Sequence, residues 1–149
     1  MNNIMSWFEI PVRDMARATA FYEGMLGITL RPEEKPDAGL AVFPYQEPAP
    51  GGALTQGQDF TPGTDGPVIY LVTDDVEGAV AWACRQGGRR CFGPLALEGI
   101  GTIARIIDSE GNRMIFCGNS VGSGREVSPS LMWKQKIRCC NSGPWCYLF

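Results

Sequence analysis

Phe8, Ile10 and Val12 alternate with Trp7, Glu9 and Pro11 near the start of the chain. That period of two predicts a half-buried strand. Asp14 follows as a helix N-cap, since its carboxylate can accept from the free amides of a first turn. Met15, Ala18, Phe21, Tyr22 and Met25 then recur at three- and four-residue steps, the apolar stripe of a helix, and Gly27 stops it. The same pattern returns at a constant offset of 61, with residues 7–27 lying on residues 68–88 without a gap. In the second copy Ile69, Leu71 and Thr73 alternate with Val68, Tyr70 and Val72. Asp74 or Asp75 caps, Val76, Ala79, Val80 and Ala83 form the stripe, and Gly87-Gly88 ends it.

Short strand-like runs follow each helix. The first half offers 28–31, 40–45 and 53–56, split by Pro- and Gly-rich loops. The second offers 90–92, 102–107 and 113–117, with a tight turn over 108–112. The module is therefore β-α-β-β-β, made twice. The expected fold class is α+β: two βαβββ modules, residues 4–60 and 66–118, whose curled mixed sheets enclose a groove with the helices outside. Gly99-Ile100-Gly101-Thr102-Ile103-Ala104 matches a loose dinucleotide-site pattern, but that pattern has mechanical meaning only ahead of a helix. The β-branched run at 103–107 predicts a strand instead.

Composition narrows the chemistry. The 149 residues contain no histidine, which excludes a Ser-His-Asp triad, a Cys-His pair and an HExxH zinc site. With 44% hydrophobic and 19% charged residues the chain has material for a core. A net charge of −3 does not suit a nucleic-acid partner. No run of about 18 apolar residues predicts a membrane span, and the N-terminus lacks the pattern of a secretory signal, so a cytoplasmic location is expected. Cys84, Cys91 and Cys117 sit singly and read as small core residues. Cys139, Cys140 and Cys146 fall in an atypical tail, residues 119–149, that opens Gly- and Ser-rich. Its charges are Arg125, Lys134, Lys136 and Arg138 against a single acid, Glu126.

Several stretches carry a family resemblance: residues 8–14 (Phe-Glu-Ile-Pro-Val-Arg-Asp), Arg17-Ala18, Phe21-Tyr22-Glu23 with Leu26-Gly27, Val72-Thr73-Asp74-Asp75 and Asp108-Ser109-Glu110-Gly111-Asn112. In this order and within a repeated module, the chain resembles the vicinal oxygen chelate superfamily. That group contains glyoxalase I, extradiol dioxygenases, fosfomycin-resistance enzymes and bleomycin-binding proteins. The fold hosts many chemistries, so the resemblance implies a fold before an activity. Its metal-dependent members carry ligands on the first and last strand of each module. Alignment on the motifs, and the internal offset, place those positions at Trp7, Leu54, Val68 and Ile115. All are apolar, so no metal and no other cofactor is expected.

If Trp7 faces the groove, alternation adds Glu9, and likewise Tyr70, Gln56 and Cys117, with Phe43 as further aromatic surface. The other faces, with Phe8, Ile10, Ile69, Leu71, Met114 and Phe116, pack under the helices. A carboxylate in an apolar groove has a raised pKa, which makes Glu9 a candidate general acid or base, or a contact for a cation. A structural pair with Arg105 or Arg113 is the plainer alternative. The favoured expectation is a metal-free protein that binds a small, partly aromatic and cationic molecule, in the manner of bleomycin-resistance proteins. A metal-independent isomerase or lyase using Glu9, and a non-catalytic structural domain, are the alternatives. The resemblance also implies a homodimer.

Overall fold

The computed structural model describes residues 4–98 and 101–118, and beyond them the backbone pairing of two short strands, Lys136–Ile137 and Cys146–Tyr147. Otherwise the expectations for residues 119–149 lie outside the described residues. The first module runs β1 (Trp7–Pro11), α1 (Met15–Leu26), β2 (Arg31–Lys35), β3 (Ala38–Val42) and β4 (Gly51–Gly57). The second runs β5 (Ile69–Val72), α2 (Val76–Arg85), β6 (Arg89–Leu97), β7 (Gly101–Ile107) and β8 (Arg113–Gly118). A strand, β7, occupies most of the dinucleotide-like motif, and a turn and a further strand, β8, follow it.

Both helices start as their sequence dictates. Asp14 accepts from the Arg17 amide at 2.9 Å and Asp75 from the Gly78 amide at 2.8 Å, each satisfying a donor that the helix itself cannot pair. Helix α1 ends at Gly27, whose φ of 65° lies in the left-handed region that glycine enters without a Cβ penalty.

Each module folds into one four-stranded mixed sheet, in the orders β1-β4-β3-β2 and β5-β8-β7-β6. The first and last strands of a module run parallel and the other neighbours antiparallel. The strand at 28–31 is displaced to Arg31–Lys35, all of it exposed. An edge strand that is polar on both faces has no hydrophobic alternation to reveal it. A finer difference matters more. Ile10 pairs with Leu54, whereas Leu71, its counterpart 61 residues later, pairs with Phe116. The last strands are therefore related by 62 residues, one more than the first strands and helices. The partner of Ile115 is Ala53, not Leu54.

One apolar core lies between the helices and both sheets. Ile10, Phe21, Tyr22, Leu54, Val80, Ile106, Met114 and Phe116 all belong to it, and Phe8, Ile69 and Leu71 pack against it from the strands. Burying each large side chain contributes about 1.5–3 kcal/mol. The helices meet where Gly24 lets the Trp82 indole lie against the α1 backbone; a Cβ there would collide with the ring. The modules are thus joined through their helix sides. Among the described residues no strand of one sheet runs alongside a strand of the other. The two sheets do not close around a groove within one chain, and each leaves a face free of helices, called here its open face.

Candidate functional site

The register assigns every strand residue to a face. On the open face of the first sheet, Glu9, Ala53, Val42 and Arg31 form one row across the strands, and Pro11, Thr55, Leu40 and Glu33 the next. Leu40, Val42 and Ala53 make a small buried cluster at its centre. Trp7 lies two residues before Glu9 on the same face, 38% exposed. Its ring packs over Gly51 and edge-on to Tyr45, with centroids 5.9 Å apart.

Glu9 is held by its surroundings. The Lys35 ammonium lies 3.0 Å from its carboxylate and the Trp7 indole N–H donates to it at 3.2 Å. Burial alone would raise the carboxyl, but Lys35, the neighbouring Thr55 hydroxyl and the Trp7 indole outweigh it, and the group sits below its ordinary value of 4.5. The expectation of a raised pKa is thereby corrected. The partner is Lys35 rather than Arg105 or Arg113.

Three residues expected in the groove face the other way. Leu54 is fully buried beneath α1 with Ile10 and Phe21, because the extra residue in the offset moves β4 by one and turns every side chain over. Phe43 donates its amide to Gly52 at 2.9 Å and sends its ring into the core, 5.7 Å from Tyr22 and 5.8 Å from Phe8. Gln56 accepts from the Met15 amide at 2.8 Å and so serves as a second cap on α1. It also borders a shallow cavity of about 490 Å³, shared with Val12, Gly39 and Phe60.

The second sheet's open face has three rows. Leu95, Ile103, Cys117 and Val72 form one; Phe92, Arg105, Ile115 and Tyr70 the next; Arg89, Ile107 and Arg113 the third. The register carried back one residue sets Val68 beside Arg113. Tyr70 and Val72 are 40% and 73% exposed, Ile115 is buried. Burial pushes both the Tyr70 phenol and the Cys117 thiol up, so Cys117 is a thiol and not a thiolate at neutral pH. Arg105 and Arg113 stand out here. Each has a buried Nε with no hydrogen-bond partner. They were foreseen only as partners for Glu9; the signal for their role is that Arg105 is the lone polar residue of 103–107.

The positions that correspond across the modules are Trp7, Ala53, Val68 and Ile115. An indole and three aliphatic side chains offer no lone pair to a divalent cation, so this donor set does not fit a metal. Among the described residues there is no cluster of three or more Cys, Asp or Glu that could hold one elsewhere.

A dense polar cluster ties the modules together at the 108–112 turn. The Glu110 carboxylate accepts from the Arg13 and Asp14 amides at 2.9 Å each and from the Arg17 guanidinium at 2.8 and 3.0 Å. Burial opposes its charge, but these donors and Ser109 hold the carboxyl down to about 2. Asp108 accepts from the Tyr22 hydroxyl at 2.6 Å, and Asn112 donates to the Pro11 carbonyl at 2.8 Å. The second module's turn thereby supplies the acceptors for the strand-to-helix corner of the first. All these groups are engaged with one another, which marks the cluster as structural.

A strand, a helix and three further strands, made twice and packed with both helices inside, define a paired βαβββ protein. Residues 4–113 match the model of the Glyoxalase/Bleomycin resistance protein/Dioxygenase superfamily, and the chain belongs to that superfamily. No match is found among curated proteins. Of solved structures, a glyoxalase I variant from Zea mays is 24% identical, with a TM-score of 0.60, over 76% of this chain and 46% of that one. This chain thus spans about half the length of the maize protein. TnmS3, an antibiotic binding protein from Streptomyces sp. CB03234, is 22% identical over 80% of this chain and 99% of its own, with a TM-score of 0.56. FosX, a fosfomycin resistance protein from Listeria monocytogenes, is 13% identical over 83% and 96%, with a TM-score of 0.57. These are likenesses of fold.

Proposed function

We propose that the protein binds a small, partly aromatic molecule on the open faces of its sheets, without a metal ion and without transforming it. The observation that carries this reading is the chemistry at Trp7, Ala53, Val68 and Ile115: four apolar side chains with no metal donors, of which the Trp7 indole is exposed for stacking. Trp7, Tyr45, Tyr70 and Val72 are among the large hydrophobic side chains that stay exposed, and all but Tyr45 sit on an open face, as expected of a surface awaiting cover. The similarity in fold to TnmS3, an antibiotic binding protein, agrees with it. Glu9 gives little support to an acid–base enzyme, since its carboxyl is stabilised in the charged form, and its pairing with Lys35 removes the net charge that a cationic ligand needs.

Because the open faces do not meet within one chain, two copies pairing first sheet to second sheet would enclose the ligand. Light scattering then gives a mass twice the 16.2 kDa of the chain; a monomer at all concentrations removes this part. The binding itself is tested by thermal unfolding against a panel of fused-ring aromatic compounds, with and without manganese, nickel or zinc. Saturable stabilisation by aromatics, unchanged by metals and lost in Trp7→Ala, is the expected result. Stoichiometric metal binding, or a flat response to the whole panel, overturns the reading.

A further inference from the structure

Arg105 and Arg113 hold two of the four buried side-chain polar atoms that lack a hydrogen-bond partner among the described residues. The described ion pairs join Arg17 to Glu110, Arg31 to Glu33 and Lys35 to Glu9, and none involves these two. Each keeps its Nε out of water with no acceptor in reach. A guanidinium has five donors and no acceptor, so a buried N–H without a partner is a standing cost. Two guanidiniums on one face also repel.

Their placement suggests what relieves both costs. Arg105 pairs with Ile115, and Arg113 with Ile107, so the arginines are diagonal neighbours on adjacent strands, β7 and β8, of the same face. Diagonal positions lie about 7–8 Å apart, within reach of two long side chains converging on one point. Arg105 has Phe92 and Ile115 on either side in its row, and Tyr70 one strand beyond. Tyr70 feels the Arg105 charge. The surroundings are thus a pair of forked cations set among aromatic and aliphatic walls, and no carboxylate of the described residues competes for them.

Resting on the binding function proposed above, we infer that the ligand is an aromatic oxyanion whose anionic group bridges Arg105 and Arg113 while its ring lies against Phe92 and Tyr70. Planar forks of donors match carboxylate and phosphate oxygens alike, so the shared chemistry is the oxyanion on an aromatic body. Specificity then resides in the second sheet, while the first contributes the Trp7 wall.

The test is calorimetric titration of the full chain with four probes of one ring system: 1-naphthoate, 1-naphthyl phosphate, 1-naphthalenemethanol and 1-naphthylmethylammonium. At least one oxyanion should bind about tenfold or more tightly than the neutral alcohol, and weaken as salt is raised. Naphthoate ahead of naphthyl phosphate assigns a carboxylate, the reverse order a phosphate. Arg105→Gln and Arg113→Gln should each weaken the oxyanion by about 10- to 100-fold and leave the alcohol unchanged. Should a variant fail to fold, the charge preference and salt dependence of the native chain still decide. Equal affinity for alcohol and oxyanion, or preference for the ammonium, overturns the oxyanion site while the binding function stands. No binding of any probe at millimolar concentration overturns both.

Discussion

Replacing Glu110 with Gln keeps the size of the side chain and removes the charge that five donors converge on. In the folded protein this carboxyl is held at about 2, against an ordinary 4.5. At about 1.4 kcal/mol per pH unit the difference corresponds to about 3 kcal/mol of stability. Its principal charged partner, Arg17, is half exposed and screened by water, which lowers the figure to about 2 kcal/mol. The sign follows from the depression. The contribution is complete above the unfolded-state value and is lost as pH falls from about 4.5 toward 2. Urea unfolding of Glu110→Gln at pH 7 should therefore show a loss of about 2–3 kcal/mol, near 10 °C in melting temperature for a body of this size. The gap should shrink to under about 0.5 kcal/mol by pH 2, where the native carboxyl is itself half protonated. Equal stabilities at pH 7, or a gap that persists undiminished at pH 2, would refute the assignment of this cluster as the bolt between the modules.

Three further outcomes follow from the geometry. Gly24→Ala should cost about 1–3 kcal/mol by forcing the Trp82 indole away from α1, and Trp82→Leu in the same chain should recover part of it; additive losses in the double-mutant cycle would contradict the contact. Tyr22→Phe should cost about 1–2 kcal/mol in urea unfolding, because Asp108 loses its 2.6 Å donor inside the core; a neutral effect would mean that the hydroxyl is dispensable. The Glu9 carboxyl, followed by NMR, should titrate below 4.5 and rise in Lys35→Ala; a midpoint above 4.5 in the native chain would restore it as an acid–base candidate.

The duplicated module was legible because each copy repeats the same chain of local causes: an alternating strand, a capping aspartate and an apolar helical stripe. Asp14 and Asp75 cap as their sequence context requires. The face of β4 was not legible. One residue is gained between the first and last strands of the second module, where β6 breaks register twice, a shift that leaves no hydrophobic signal, yet it places Leu54 in the core and Ala53 and Thr55 on the open face. Trp7 and Glu9 share the helix-free face, as strand alternation implies, but Lys35 is not legible as the partner of Glu9, since it sits on an edge strand without alternation. Arg105 and Arg113 were visible as charges; only the cross-strand register reveals that they share a face and lack acceptors.

The outer margins of the two sheets are ill suited to recruiting another chain. Strand β2 is Arg-Pro-Glu-Glu-Lys, and β6 begins with two arginines, contains Pro94 and breaks register twice. Proline and charge discourage strand addition at a margin. On the inner margins, β1 carries Glu9 and ends in Pro11, whereas β5 reads Ile-Tyr-Leu-Val with neither safeguard. Among the eight strands of the body, templated growth is thus left a single landing place per molecule, and a charge or proline set into β5 would close it.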